Sequence, residues 1–406
     1  MTRPILHQIQ VRNYKNIAKA VINLQPLTVL VGPNGAGKSN FVDALSFVAD
    51  CLNYSVQLAF ANRGGIAVVR RRSHGHPTHI GLRLRLALAD GGLADYAFDI
   101  AASPRERFRI ARERCIVQPK MIGPPRYQFE VRDGQFTQRV SGIRPRIEPD
   151  RLALTVLSAT EEFRPVYDFL TSIRRYSLQP DRIRELQDPD PAEGTILRED
   201  GSNAAAVLRH ISQQGADNGY VYERICRLLG VIVPGTEAVK PKSLGQKETL
   251  EFRQDMGQKY PWTFGTLNMS DGTLRALGIL LAVYQSSPAS LLAIEEPEST
   301  IHPAAAEVLM DVLLDGAKRS QILLTTHSPD ILDNKNLSDQ QIIAVEAVRG
   351  TAQITPLTET TRDMIRQRLY TPGELLRAGE LRVDSDYATT QAQQLRLFGE
   401  VTARDV

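Results

Sequence analysis

The run Gly32-Pro33-Asn34-Gly35-Ala36-Gly37-Lys38-Ser39 constrains the fold of this 406-residue chain more than any other feature, because it has the phosphate-loop spacing G-x-x-x-x-G-K-[ST]. Leu27 to Val31 read as a short apolar strand before it, and Phe41, Val42, Leu45, Phe47 and Val48 recur at helical spacing after it. A glycine turn that feeds a helix N-terminus points backbone N–H groups inward and adds the positive end of the helix dipole, which suits a polyphosphate. Gly32, Asn34, Gly35, Ala36, Gly37 and Asn40 are the candidate contacts of this kind. Lys38 is expected to reach the β and γ phosphates, and the Ser39 hydroxyl to complete a Mg2+ shell.

Three later segments narrow the chemistry. Leu291 to Ile294 form an apolar strand that ends in Glu295-Glu296-Pro297. Adjacent carboxylates repel unless a cation or a shared proton compensates, so a bound Mg2+ gives the pair a physical reason. In that reading Glu295 holds the metal through water and Glu296 polarises the attacking water. Gln321 to Thr326 form a second apolar strand that delivers His327, and a lone histidine there is structural or catalytic. Ahead of both strands, Ser270-Asp271-Gly272 opens a helix from Leu274 to Tyr284. Ser270 is a natural N-cap, and the helix start beside Gly272 is either an anion site or an ordinary capped terminus.

This succession of phosphate loop, capped helix, Glu-pair strand and His strand resembles the ATP-binding-cassette ATPases. Glu295-Glu296-Pro297-Glu298-Ser299-Thr300-Ile301-His302-Pro303 and Thr325-Thr326-His327-Ser328-Pro329 are similar to the soluble ATPases related to RecF and the chromosome-maintenance proteins. Ser270 to Arg275, Asp200-Gly201-Ser202-Asn203 and Gly373 to Glu380 resemble a group of prokaryotic AAA-type ATPases linked to phage defence. The resemblance implies an α/β P-loop NTPase of ATP-binding-cassette type that uses ATP and Mg2+, with Lys38, Glu296 and His327 in catalysis. It also implies a head-to-tail homodimer, in which Ser270 and Gly272 of one copy close on the γ-phosphate held by the other. A separate, nuclease-like effector in DNA maintenance or antiviral defence is the expected partner. A slowly hydrolysing switch that holds an effector inactive is the alternative, and a transport cassette a more distant one. Arg12, Tyr14 and Lys15 stand where RecF-like ATPases place a basic or aromatic pair, so Tyr14 is expected to stack on adenine and Arg12 or Lys15 to touch phosphate; an edge strand is the other reading. Two departures are visible: Met269 replaces the usual Leu at similar volume, and Glu295 replaces the usual Asp with a carboxylate one methylene further out.

Cysteine usage bounds the setting. Cys51, Cys115 and Cys226 are too far apart for a metal motif and odd in number, so a cytoplasmic protein is expected. The longest apolar runs, near Ala276 to Val283 and Ala289 to Ile294, are too short to span a bilayer, and no membrane partner is expected. Five segments follow from the patterning: a first part of the ATPase core over 1–60, an antiparallel β subdomain over 61–150, a helical insertion over 151–265, a second part of the core over 266–350, and a tail over 351–406. No heptad run appears, so no long coiled coil is expected. Residues 60 to 151 hold 18 Lys or Arg against 9 Asp or Glu, in a chain of net charge +3. Arg70-Arg71-Arg72 therefore mark a DNA-binding candidate, while the plainer reading is a sheet whose arginines neutralise neighbouring acids. About 56 residues follow Gly350, too few for the Toprim nuclease domain that some relatives carry. Gly373 to Glu380 and Leu395 to Phe398 are candidate docking segments for a separate effector.

Overall fold

The computed structural model describes residues 3–73, 79–103, 107–120, 126–138, 146–148, 150–213 and 215–399; His74 and His76, behind the arginine run, lie outside them. In chain order, β1 (Ile5–Tyr14), β2 (Ile17–Asn23) and β3 (Leu27–Val31) lead into α1 (Lys38–Asn53), α2 (Val56–Ala61) and α3 (Ile66–Val69). Then come β4 (His79–Ala87), β5 (Leu93–Ser103), β6 (Arg107–Gln118), β7 (Tyr127–Arg132) and β8 (Gln135–Gln138). Next are α4 (Ala153–Leu157), α5 (Arg164–Thr171), β9 (Ile173–Tyr176), α6 (Pro180–Arg184), α7 (Ala204–Gln213) and α8 (Gly215–Ile232). They are followed by β10 (Thr236–Leu244), β11 (Lys247–Gln254), β12 (Trp262–Gly265), α9 (Asp271–Tyr284), β13 (Leu291–Glu295), α10 (Ala306–Gly316), β14 (Gln321–Thr326) and α11 (Pro329–Leu332). The chain closes with β15 (Ile342–Val348), β16 (Thr351–Pro356), α12 (Glu359–Arg366), α13 (Pro372–Arg377) and α14 (Ser385–Gln394). It divides into two units, one of residues 1–173, 338–367 and 380–406, the other of residues 174–337 and 368–379.

In the first unit the strands run in the order β8-β7-β6-β5-β4-β1-β2-β16-β15-β3. The antiparallel strands β4 to β8 join β1 through pairs such as Val11 with Leu82, so they extend the sheet that leads to the phosphate loop. β3 pairs in parallel with β15, Leu30 opposite Ile343, and all five of its residues are buried, as a strand covered on both faces requires. Phe41, Leu45, Phe47 and Val48 of α1 are fully buried. Each such phenylalanine contributes about 2–3 kcal/mol. Phe47 also joins a chain of rings, with Tyr14 on one side and Phe60 then Phe108 on the other, at centroid spacings of 5.6, 5.0 and 5.0 Å. Sheet arginines here are largely paired: Arg83 and Arg85 meet Asp95, and Arg112 and Arg132 meet Glu130. The segment Leu395 to Phe398, expected to dock a partner, packs on this sheet instead. Leu397 fills a notch over Gly81, where a Cβ would lie 2.0 Å from it, and Arg114 donates to the carbonyls of Phe398 and Gly399 at 3.0 and 2.9 Å.

In the second unit β13 and β14 run parallel, with Ile294 opposite Leu324 and Glu295 opposite Thr325. Helix α9 is apolar around its circumference and buried along its length except at Asp271, Gly272 and Arg275, the pattern of a core helix. The interval 151–265, expected to be helical, also holds the antiparallel sheet β10-β11-β12. Its buried apolar residues are few, Val239 on β10 and the pair Leu250 and Phe252 two apart on β11, among lysines and glutamates, a weaker signal than the helices around it. Gly373 to Glu380, the other docking candidate, is engaged within this unit: Arg377 pairs with Asp330 and Asp333 at 2.8 and 2.9 Å, and the Gly373 N–H donates to Asp333 at 3.1 Å. Among the described residues the longest helix is α8, with 18 residues, short of three heptads. No described helix is long and apolar enough to cross a membrane.

Candidate nucleotide site

In the first unit Gly37 opens α1 with φ 117°, and as a glycine it brings no side-chain cap to the helix start. A Cβ on Gly32 would lie 1.9 Å from the Val345 carbonyl oxygen, and one on Gly37 2.7 Å from the Ala352 Cβ. Backbone therefore approaches backbone at Gly32, and the side chains of Ala352 and Asn16 approach the backbone at Gly37. Lys38 is buried, its Nζ donating to the carbonyls of Gly32 at 2.7 Å and Pro33 at 3.1 Å. Asn34, Gly35 and Ser39 are exposed, and Ala36 is buried. An ammonium, a hydroxyl and an uncapped helix start form a donor set that fits a phosphate chain with a hard cation.

Tyr14 does not offer its ring to a base. It is fully buried, and its hydroxyl donates to Asp43 Oδ2 at 2.7 Å. Burial works to raise the Asp43 carboxyl, but Arg63 at 2.8 Å, Lys15 at 2.5 Å and the Tyr14 bond more than offset it, holding the group below its ordinary value. Arg12 is likewise diverted, pairing with Asp99 at 2.7 Å. Register explains this: Arg12 and Asp99 both lie opposite Gly81, which has no side chain to separate them. Asn40 donates to Asn16 Oδ1 at 2.8 Å, and Asn16 donates to the Ala36 carbonyl at 3.4 Å, which ties the β1-β2 turn to the phosphate loop. Beside that turn Lys15, Asn16, Arg70, Arg71, Arg72 and Arg349 line a cavity of about 910 Å³, with no acidic residue on its wall among the described residues. The arginine run thus faces the same concavity as the loop-bracing Asn16.

In the second unit Glu295 ends β13, and its carboxylate accepts from Arg175 Nε at 2.5 Å. Glu296 follows with φ 44°, a left-handed backbone that costs a non-glycine residue about 1 kcal/mol. The Glu296 N–H donates to the Thr325 carbonyl at 3.0 Å, and its own carbonyl accepts from Arg275 Nη1 at 3.2 Å, so the unusual turn is held from both sides. The Glu296 carboxylate lies 3.3 Å from His327 Nδ1 with both side chains partly exposed. This brings together an acid and an imidazole at the ends of two parallel strands. Next to them Glu298 is half-buried, and desolvation pushes its carboxyl up, while Thr326 Oγ1 donates to it at 2.5 Å and works against that shift. Ser270 caps α9 as expected, its Oγ accepting from the Thr273 N–H at 3.2 Å. A Cβ on Gly272 would lie 2.4 Å from the Thr300 carbonyl oxygen, so this glycine also serves close packing inside the unit.

The sequence reading missed the roles of Arg175, Arg349 and Asn16, which stand in no motif, and that of Glu298, which stands inside a quoted segment without a chemical signal of its own. Only the tertiary pairing gives them partners.

Comparison with known proteins bears on this arrangement. The family model described as "AAA domain, putative AbiEii toxin, Type IV TA system" matches residues 119–333, and the one described as "AAA ATPase domain" matches residues 5–90. No curated protein matches the chain. Among solved structures, an Smc head bound to the C-terminal winged-helix domain of ScpA is similar with a TM-score of 0.53 at 13% identity, covering 88% of this chain and 99% of that one. The Smc head domain with an extended coiled coil from Pyrococcus furiosus, bound to the C-terminal domain of ScpA, has a TM-score of 0.52 at 12% identity, covering 90% of this chain and 99% of that one. These likenesses give the fold, that of an SMC-head ATPase of ATP-binding-cassette type. Because the first family model spans more than half of it, the chain belongs to the AAA-domain family of that description, and its fold is that of an SMC head.

Proposed function

We propose that the protein is a Mg2+-dependent ATP hydrolase that acts as a head-to-tail pair and controls a separate effector. The observation that carries this reading is the phosphate loop over an uncapped α1, flanked by an acid-free cationic cavity. Lys38 exchanges its loop carbonyls for phosphate oxygens, and with the α1 N–H groups it offsets the charge that develops on the transferred phosphoryl group. Glu296 orients a water and accepts its proton, and His327 fixes the orientation of that carboxylate. Bound Mg2+ would supply charge neutralisation at the phosphates, and Ser39 and Glu295 are the oxygen donors that would hold it. Ser270 and Gly272, at the start of α9, close the γ-phosphate site of the second copy. Lys15, Asn16, Arg70 and Arg71 receive the outer phosphate and sugar, in place of Arg12 and Tyr14. In this reading Arg70, Arg71 and Arg72 serve nucleotide and not duplex DNA; salt-dependent DNA binding that survives saturating ATP reverses that assignment.

A nuclease-like effector in antiviral defence or DNA maintenance is the partner that the resemblance favours. The Smc heads of similar fold are seen bound to a partner protein, which supports a protein partner on this fold. The test is ATP binding and phosphate release by the full chain and by Lys38→Ala. Binding is expected to weaken by about 100-fold or more in the variant. Phosphate release that does not depend on Lys38 overturns the reading.

A further inference from the structure

The turn Asp200-Gly201-Ser202-Asn203 is fixed from several sides within the second unit. Asn203, 1% exposed, accepts from the Arg198 N–H at 2.8 Å and donates to Asp190 at 2.8 Å and to the Ile196 carbonyl at 2.9 Å. Asp200 Oδ1 accepts from the Ser202 N–H at 2.9 Å. The carbonyls of Glu199 and Asp200 accept from the N–H groups of Ser177 and Gln179 at 3.0 and 3.1 Å, which stitches the turn to the chain just after β9. This brace holds Glu199 at 3.3 Å from Arg175, and Arg175 in turn reaches Glu295 at 2.5 Å. One guanidinium thus stands between two carboxylates, Glu295 at 11% side-chain exposure and Glu199 at 55%.

We propose that Arg175 is a positioning residue for Glu295: it holds that carboxylate until a divalent cation takes it, and Glu199 then receives the displaced guanidinium. The inference rests on the reading of Glu295 as a metal-holding residue. A guanidinium fork and a hard divalent cation both need the carboxylate oxygens, so each weakens the other's hold. The more buried Glu295 is the costlier of the two to leave without a cation, which makes it the resting partner. Glu199 lowers the cost of releasing Arg175, because the guanidinium never passes through an unpaired state. The braced turn gains a role by this route, as the platform that keeps the second carboxylate in reach.

Opposite shifts from two substitutions test the arrangement. Enzyme-bound Mn2+ is titrated by electron paramagnetic resonance in the full chain carrying Glu296→Gln, with a saturating nonhydrolysable ATP analogue. Removing the competitor in Arg175→Gln is expected to lower half-saturating Mn2+ by about fivefold, and removing its alternative in Glu199→Gln to raise it by about fivefold. Arg175→Lys, which keeps the charge without the fork, is expected to fall between Arg175→Gln and the parent. Shifts of one sign, or neither beyond about twofold, overturn the proposal, since a merely structural role weakens metal binding in both variants. Where Arg175→Gln unfolds on thermal melting, the substitution at the exposed Glu199 decides alone. A parent protein that takes up no nucleotide sinks the ATPase reading and this inference with it. Normal uptake of nucleotide and metal with both variants unmoved sinks this inference alone.

Discussion

The phosphate loop and the carboxylate strand differ in what holds their charges. Lys38 is anchored by carbonyls five and six residues away, inside the motif that announces it. Glu295 is anchored by an arginine 120 residues away, and Glu296 meets a histidine 31 residues away. The first arrangement is a property of local backbone, because a glycine turn and a helix start suffice to build it. The second depends on which strands lie side by side, so its electrostatics change whenever a distant residue does. A nucleotide loop of this kind is robust, and a carboxylate cluster of this kind is tunable.

The largest effect is expected on the tunable side. Glu296→Gln should cut phosphate release by about 10³-fold while ATP binding and pairing persist, as read by single-turnover assays and gel filtration with ATP. A rate within about tenfold of the parent would break the assignment of Glu296 as the water-orienting acid. On the robust side, Gly32→Ala should destabilise the protein by about 3 kcal/mol in urea unfolding, because the new Cβ meets the Val345 carbonyl. Unchanged stability would mean that the loop yields more easily than its packing implies.

Two carboxylates inside the first unit sharpen the contrast between charges with and without a cation. Asp43 has Lys15 and Arg63, whereas Glu113 is fully buried with only neutral donors, the N–H groups of Ala153 and Leu154 and the Tyr96 hydroxyl. Burial pushes the Glu113 carboxyl up from 4.5 to about 7, with the two N–H donors working against the rise. The folded state therefore holds a proton that the unfolded state releases. Its contribution is fully present below pH 4.5 and is lost as pH rises through about 7. The loss amounts to about 3 kcal/mol, and Glu113→Gln should flatten this part of the pH profile in chemical unfolding. A profile that keeps its slope in the variant assigns the effect elsewhere. The smallest change is Tyr14→Phe, which should cost about 1 kcal/mol of stability through the lost Asp43 bond and leave ATP affinity unmoved. Weakened ATP binding there would give the Tyr14 hydroxyl a part in the nucleotide site.

Legibility in the sequence follows the same division. The strand before the loop, α1, the Ser270 cap and the two strands ending in Glu295 and His327 are all local patterns of hydrophobic period and capping chemistry, and each forms as the residues indicate. Arg12 and Tyr14 were misread because their neighbours in the chain say nothing about Asp99 or Asp43. The tail at Leu395 to Phe398 looks like a free docking segment in one dimension and is a strap in three, since only the sheet shows Gly81 leaving room for Leu397. By itself the sequence determined the phosphate loop, the order of the nucleotide motifs and the class of fold, because those depend on backbone conformation set within a few residues. Tertiary structure alone decided which cation each acid has, which arginines line the cavity and which segments remain exposed. Ion pairs depend on distance in space, and that distance is set by strand register between residues far apart in the chain.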